Sequence, residues 1–142
     1  SFDFTKVKDY VVLYKFHPLL GDIQCNGGVN MNKEDLYTLM QVSDCLISDY
    51  SSVIFDYSLL NKPMISYIPD VKEYKHNIGL NIDFDDFPGP VCTDEDQLVK
   101  ALEFKNYDYD KLSYFQIKYM VYTDGKNTSR VIDTINQIME EV

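Results

Sequence analysis

Short apolar runs alternate with polar, helix-periodic segments along the first half of the chain. Val11-Val12-Leu13-Tyr14-Lys15-Phe16 is rich in strand formers and stops at His17-Pro18. Cys45 to Ser48 reads as a second strand and Met64 to Ile68 as a third. Between the first two, Leu36, Leu39, Met40 and Val42 approximate the helical repeat, which predicts a helix over 33–42 capped by Asn32. Ser51 or Ser52 caps a further helix that runs to Leu60, where Asn61-Lys62-Pro63 ends it. The stretch 21–31 reads as a loop around Gly27-Gly28, with room for a short strand at Val29. Pro69 to Pro90 reads as irregular and acidic, and Val91-Cys92 as a short edge strand. Three helices follow: from Thr93 or Asp94 to about Leu102, from Tyr107 to Tyr122 with an aromatic face, and from Thr128 or Ser129 to Glu140. With no repeat or linker between them, the elements form one domain over 1–142.

Strands alternating with helices imply βαβ units: an α/β, Rossmann-like αβα arrangement around a parallel sheet. Such sheets bind ligands at the carboxyl ends of their strands. Two strand ends here carry polar residues, Lys15-Phe16-His17-Pro18 and Ser48-Asp49-Tyr50-Ser51-Ser52. If those strands lie side by side, His17 and Ser51 share one crevice.

The second of these ends carries most of the chemistry. Cys45 to Asp56 passes from an apolar strand through a hydroxyl-rich turn into a helix start. A helix N-terminus leaves backbone N–H groups unpaired and carries positive partial charge, so it favours phosphate. Ser51 and Ser52 are small enough to let phosphate approach and add hydroxyl donors, although plain N-capping uses the same residues. Asp49 stands too near that turn to welcome another anion, and reads as orienting His17 or the loop amides. Asp56 reads as a solvated carboxylate near the helix N-terminus, or, by resemblance to nucleotide-sugar epimerases that place an acidic residue near this point, as a ribose ligand. His17 either donates to a diphosphate oxygen or bonds a backbone carbonyl. Lys62 is a surface cation or a second phosphate ligand. Arg130 is an anion ligand, a pin for another domain or a member of an ordinary salt bridge.

Composition narrows the choice. The 142 residues are 45% hydrophobic and 25% charged, as in globular proteins. The net charge of −10 argues against general nucleic-acid binding, and any anionic ligand must be held by local dipoles and placed donors. No apolar run is long enough to cross a bilayer. Cys25, Cys45 and Cys92 lack metal-ligand spacing and read as buried, reduced thiols of a cytosolic protein. Asp83-Phe84-Asp85-Asp86 reads as solvated carboxylate rather than a metal site, and no cofactor is implied. Most of the 12 tyrosines are expected half-buried, with hydroxyls in water, and some could face a partner domain. The start at Ser1, without methionine or leader, suggests a piece of a longer chain.

Taken in order, His17-Pro18, Ser48-Asp49-Tyr50-Ser51-Ser52-Val53-Ile54-Phe55-Asp56 and Leu60-Asn61-Lys62-Pro63 resemble the CDP-glycerol:glycerophosphotransferase family of teichoic acid primases and polymerases. Phe87-Pro88-Gly89-Pro90 and Asp124-Gly125-Lys126-Asn127-Thr128-Ser129-Arg130-Val131 resemble that family's downstream motifs. The resemblance implies the nucleotide-binding C-terminal half of a GT-B-like enzyme, whose first domain and first strand of this half lie outside the chain. It implies transfer of glycerol phosphate from CDP-glycerol, or another polyol phosphate from its CDP donor, to a polymer or lipid-linked acceptor. His17 would be catalytic, and Ser51, Ser52, Asp49, Asp56 and Arg130 would bind the donor. The parent would work at the inner face of the cell membrane, touching it through other parts. The Arg-Gly pair usual in the family after the tyrosine matching Tyr74 is replaced here by Ile78-Gly79.

Three other readings compete. A nucleotide-sugar glycosyltransferase or epimerase shares the architecture but often places glycines at the phosphate turn. A receiver domain would phosphorylate Asp49, yet lacks an acidic pair after its first strand. The third is a scaffold whose site has decayed.

Overall fold

The computed structural model describes residues 3–21, 23–77, 82–104 and 107–140, so Ile78-Gly79 lies outside the described residues. Its strands are β1 (Leu13–Tyr14), β2 (Val29–Asn30), β3 (Leu46–Ser48), β4 (Met64–Tyr67) and β5 (Val91–Cys92). Its helices are α1 (Leu36–Val42), α2 (Val53–Ser58), α3 (Val71–Asn77), α4 (Glu95–Phe104), α5 (Tyr109–Tyr119) and α6 (Asn127–Glu140). Every strand pairing is parallel, as the alternation requires, and the fold is α/β and Rossmann-like.

The strands form two sheets among the described residues, where the sequence suggested one. β1 pairs with β2, and β3, β4 and β5 form a second sheet in that order. The register sets Leu46, Ile47 and Ser48 opposite Met64, Ile65 and Ser66. β1 and β3 are not hydrogen-bonded neighbours, so the sheet itself does not put His17 beside Ser51. Among the described residues each of these strands is paired along one edge only, and β3, half-exposed at Leu46 and Ser48 with Ile47 in solvent, is less buried than β4.

β4 is the centre of the larger sheet because, among the described residues, it alone is paired on both edges. Its alternation divides the core in two. Met64 faces a cluster with Ile54 and Tyr57 of α2, Leu112 and Phe115 of α5, and Phe87. Ile65 faces the opposite way, into a cluster with Cys92 of β5 and Leu98 and Leu102 of α4. Helices therefore cover both faces, as a parallel sheet demands. The Pro88-Gly89-Pro90 corner lies hard against β4: a Cβ on Gly89 would sit 1.7 Å from the Met64 carbonyl oxygen. Glycine is needed there for close approach, since its φ is not in the left-handed region.

Several local expectations are corrected. The first helix begins at Leu36 with Asp35 as cap, whose Oδ2 accepts from the Thr38 amide at 2.8 Å. Asn32 is committed elsewhere: its Oδ1 accepts from the Phe16 amide at 2.9 Å, and its carbonyl accepts from Lys15 Nζ at 2.8 Å. These bonds tie 32–34 to the end of β1 before a helix can start. The segment after β4, read as irregular, contains α3. Its sequence Val71-Lys72-Glu73-Tyr74-Lys75-His76-Asn77 offers too few apolar positions to show a period. Tyr57 is fully buried, and the hydroxyls of Tyr10, Tyr50, Tyr57 and Tyr119 bond protein groups rather than standing free in water. The last two helices extend over Tyr109–Tyr119 and Asn127–Glu140, close to expectation. No helix among the described residues is long and apolar enough to cross a membrane.

Candidate functional site

The turn after β3 is built by its own short polar side chains. Asp49 Oδ1 accepts from the Ser51 amide at 3.1 Å, an Asx-type turn that bends the chain sharply off the strand. Ser51 Oγ accepts from the Val53 amide at 3.4 Å. The Ile54 and Phe55 amides bond back to the carbonyls of Ser51 and Ser52, at 3.4 and 3.1 Å. Ser52, the cap position of α2, is in helical backbone (φ −64°, ψ −9°) and its side chain makes no capping bond. Its amide and hydroxyl thus stand as donors without a protein partner among the described residues, and Ser51 and Ser52 are both exposed. The capping role read for this pair falls to Ser51. Asp49 has the second of its two expected roles, ordering the loop amides; no bond joins it to His17 among the described residues.

Asp56 lies in the first turn of α2, exposed, on the helix that the serines open. Asp49, Ser51, Ser52 and Asp56 are therefore one contiguous constellation. His17 stands apart, after β1 of the other sheet. It is exposed, its carbonyl accepts from the Leu20 amide at 2.9 Å, and its Nδ1 accepts from the Leu19 amide at 3.3 Å. Accepting at Nδ1 places the proton of the neutral ring on Nε2, which makes Nε2–H the available donor.

Two cations that sequence left ambiguous have definite partners. Lys62 donates to the carbonyls of Met40 (3.4 Å), Gln41 (2.6 Å) and Ser43 (2.7 Å), so all three ammonium protons serve the C-terminal end of α1. Arg130 forms a two-pronged pair with Asp124 at 2.8 and 2.6 Å, bonds Asn127 Oδ1 at 3.1 Å and lies 4.2 Å over the Tyr122 ring. That guanidinium holds the Asp124 carboxyl down at about 2. The salt-bridge reading of Arg130 is thus realised, and any ligand must share it with Asp124.

The sequence reading passed over the brace beside the turn. Tyr50 stacks face to face on Tyr74 of α3, with ring centroids 3.6 Å apart, and donates to Asp70 at 2.9 Å. Burial, then the neighbouring Asp70, push its phenol well above the ordinary range. The Ser48–Ser52 turn is thereby fixed to α3. Tyr74 was in view as a motif residue, but nothing in the spacing pairs it with Tyr50. Asp86, from the acidic run, is bonded by Lys118 Nζ at 2.6 Å and Tyr119 at 2.7 Å. Its work is to anchor α5.

Comparison with known proteins agrees with this architecture. The family described as CDP-glycerol:poly(glycerophosphate) glycerophosphotransferase matches residues 1–137. A teichoic acid ribitol-phosphate primase of Bacillus spizizenii is 36% identical, aligned over 93% of this chain and 36% of its own length. A teichoic acid glycerol-phosphate primase of Bacillus subtilis is 30% identical, over 93% of this chain and 36% of its own. The solved structure of the wall teichoic acid polymerase TagF superposes with a TM-score of 0.72 at 30% identity, over 97% of this chain and 37% of that one. The chain thus spans a little over a third of the length of these relatives. With the motifs in order, a parallel α/β core and a match over nearly all its residues, the chain belongs to the CDP-glycerol:poly(glycerophosphate) glycerophosphotransferase family.

Proposed function

We propose that this chain is the donor-binding half of a longer phosphotransferase, and that it holds the diphosphate of CDP-glycerol or a related CDP-polyol. One observation carries the reading: Ser52 presents an amide and a hydroxyl without partners among the described residues at the start of α2, while the amides around it are already bonded. Such a donor pair in an otherwise acidic protein suits phosphate oxygen better than any cation. Family membership supports the donor class, and the relatives' names supply both glycerol and ribitol phosphate as the transferred unit.

In the reaction, an acceptor hydroxyl attacks the β-phosphorus of the donor. The bond from that phosphorus to the oxygen bridging the α-phosphate breaks, CMP leaves with the electron pair, and the hydroxyl proton passes to a base outside this chain. Alignment and charge stabilisation are what the protein supplies. Ser51 and Ser52 seat the diphosphate, Asp49 keeps their turn in shape, and Asp56 reaches the ribose. The Nε2–H of His17 offsets the charge that grows on CMP. Arg130 adds to the anion field if its bond with Asp124 opens. The acceptor is a polyol-phosphate polymer or a lipid-linked starter. That places the parent at the inner face of the cell membrane, with membrane contact made elsewhere in it.

The test is calorimetry and turnover on the parent enzyme. Ser52→Asp weakens CDP affinity by about tenfold or more, as a carboxylate facing a diphosphate should, and His17→Ala lowers kcat with the fold intact. Unchanged affinity in the first variant and unchanged turnover in the second would remove both residues from the site. Preference for UDP over CDP would favour the sugar-transferase reading.

A further inference from the structure

The turn over 49–52 is shaped from within and tied to the rest of the domain through Tyr50. Asp49 and Ser51 spend their side chains on the amides of Ser51 and Val53, inside the turn or next to it. β3, which leads into it, is three residues long and half-exposed. Beneath the turn, Ser48 stands in register with Ser66, whose buried hydroxyl has no hydrogen-bond partner among the described residues. The floor therefore gives the turn no side-chain bond. Among the described residues, the side-chain bonds and ring contacts that leave 49–52 for other elements all belong to Tyr50.

What Tyr50 grips is the head of α3. Its hydroxyl donates to Asp70 Oδ1 at 2.9 Å, and its ring lies on Tyr74 with the planes 9° from parallel. Asp70 and Tyr74 are one helical turn apart, and the Tyr74 amide bonds the Asp70 carbonyl at 3.0 Å, so one side chain spans that turn. Phe84 meets the Tyr50 ring edge-on at 6.2 Å and packs in turn on buried Phe87 at 6.4 Å. α3 follows β4, which is buried at Met64, Ile65 and Ser66. The exposed turn thus takes its position from the buried centre of the larger sheet. Rings sandwiched with little offset gain less than offset ones, so the bond to Asp70 is needed to keep the stack in place. Burial and Asp70 both oppose ionisation of the Tyr50 phenol, which stays a donor at neutral pH.

Resting on the donor-site reading above, we infer that Tyr50 is a positioning residue for the donor: held by Asp70 and Tyr74, it sets where Ser51 and Ser52 meet the diphosphate. The head of α3 thereby tunes donor binding through the turn. Small displacements matter because hydrogen bonds weaken steeply with angle and distance, and a misaligned phosphorus reacts slowly. Loss of the brace therefore weakens binding and lowers kcat, whereas loss of a mere packing contact lowers stability alone.

The experiment is calorimetry with CDP and steady-state kinetics on the parent enzyme, well below the melting temperature of each variant. Tyr50→Leu weakens CDP affinity by about tenfold, and Tyr50→Phe, which keeps the ring and loses the Asp70 bond, by about threefold. Tyr74→Leu weakens it as well, and Tyr74→Phe, with the stack intact, restores it. Tyr50→Phe combined with Asp70→Ala binds no more weakly than either alone, because the two remove one bond. Parent-like affinity in Tyr50→Leu and Tyr74→Leu, with only the melting temperature lowered, overturns the inference. So does strict additivity of Tyr50→Phe and Asp70→Ala. Should a leucine variant fail to fold, Tyr50→Phe and Asp70→Ala decide the matter by the same readout, since both leave the rings in place. Ser52→Asp separates the two readings. Weakened binding there beside an inert Tyr50→Leu removes the brace and leaves the donor site standing, while unaltered binding in Ser52→Asp removes both.

Discussion

Two consecutive helices, α5 and α6, meet opposite fates. Both are patterned as surface helices with one apolar stripe, and α6 is the longer. α5 buries Leu112 and Phe115 against α2 and Phe87, and Phe55 stacks on Phe115 at 5.7 Å. It is also pinned from a distance, by Lys118 and Tyr119 on Asp86. α6 buries nothing, and its polar pin, Arg130 on Asp124, is six residues away in sequence. The lesson is that amphipathicity states a need for cover without saying what supplies it. α5 finds its cover inside the domain, and α6 finds none among the described residues.

That contrast can be broken most sharply in the core. Phe115→Ala in this chain is expected to cost about 3–5 kcal/mol, the usual toll of a truncated buried aromatic, whereas Ile135→Ala stays within about 0.5 kcal/mol. Equal losses in urea melts would mean that α6 is packed after all. Gly89→Ala is next, at about 3 kcal/mol, because the new methyl must displace the Met64 carbonyl and disturb the wall on which α5 rests. A silent Gly89→Ala, with the same melting temperature as the parent sequence, would contradict that contact. Lys62→Met follows at about 1–2 kcal/mol: it keeps the aliphatic stem and strips three α1 carbonyls of their donor. Chemical denaturation is the check, and no change would make Lys62 a bystander.

The smallest effects concern the two pins. Asp86 lies below the usual carboxylate range through the Lys118 and Tyr119 hydrogen bonds, and Asp124 lies near 2 through Arg130. A folded-state value lower than the unfolded one stabilises the fold fully above pH ~4 and loses that contribution as pH falls through the folded value. The melting temperature is therefore expected to be flat from neutral pH to about pH 5 and to fall in acid. Asp86→Asn blunts that acid fall and lowers the neutral melting temperature. Asp124→Asn barely changes the latter, since its bond is local and exposed. The reverse ranking would mean that α6 matters more to this domain than its exposure suggests.

Much of this was legible along the chain. The alternation of strand formers with capped helices gave the α/β class, because a period of 2 or 3.6 is written directly in the residues. The Ser48–Ser52 turn was legible for the same reason, since strand, turn and cap are contiguous. α3 was not, because Tyr74 acquires its value only by stacking on Tyr50, 24 residues earlier. The start of α1 was misplaced because Asn32 can cap locally or serve Phe16, and only the fold selects Phe16. Lys62 and Arg130 stayed ambiguous because a cation's role depends on which oxygens the chain brings to it.

By itself, then, the sequence determined the order and kind of the elements other than α3, the hydroxyl-rich turn at the end of β3 and the family, all of them consequences of neighbours along the chain. Tertiary structure alone decided that the strands divide into two sheets, that Lys62 closes α1, that Tyr50 braces the turn and that α6 is left bare. Those outcomes depend on which distant groups compete for the same hydrogen bonds and the same apolar surface, and that competition is settled only when the chain packs.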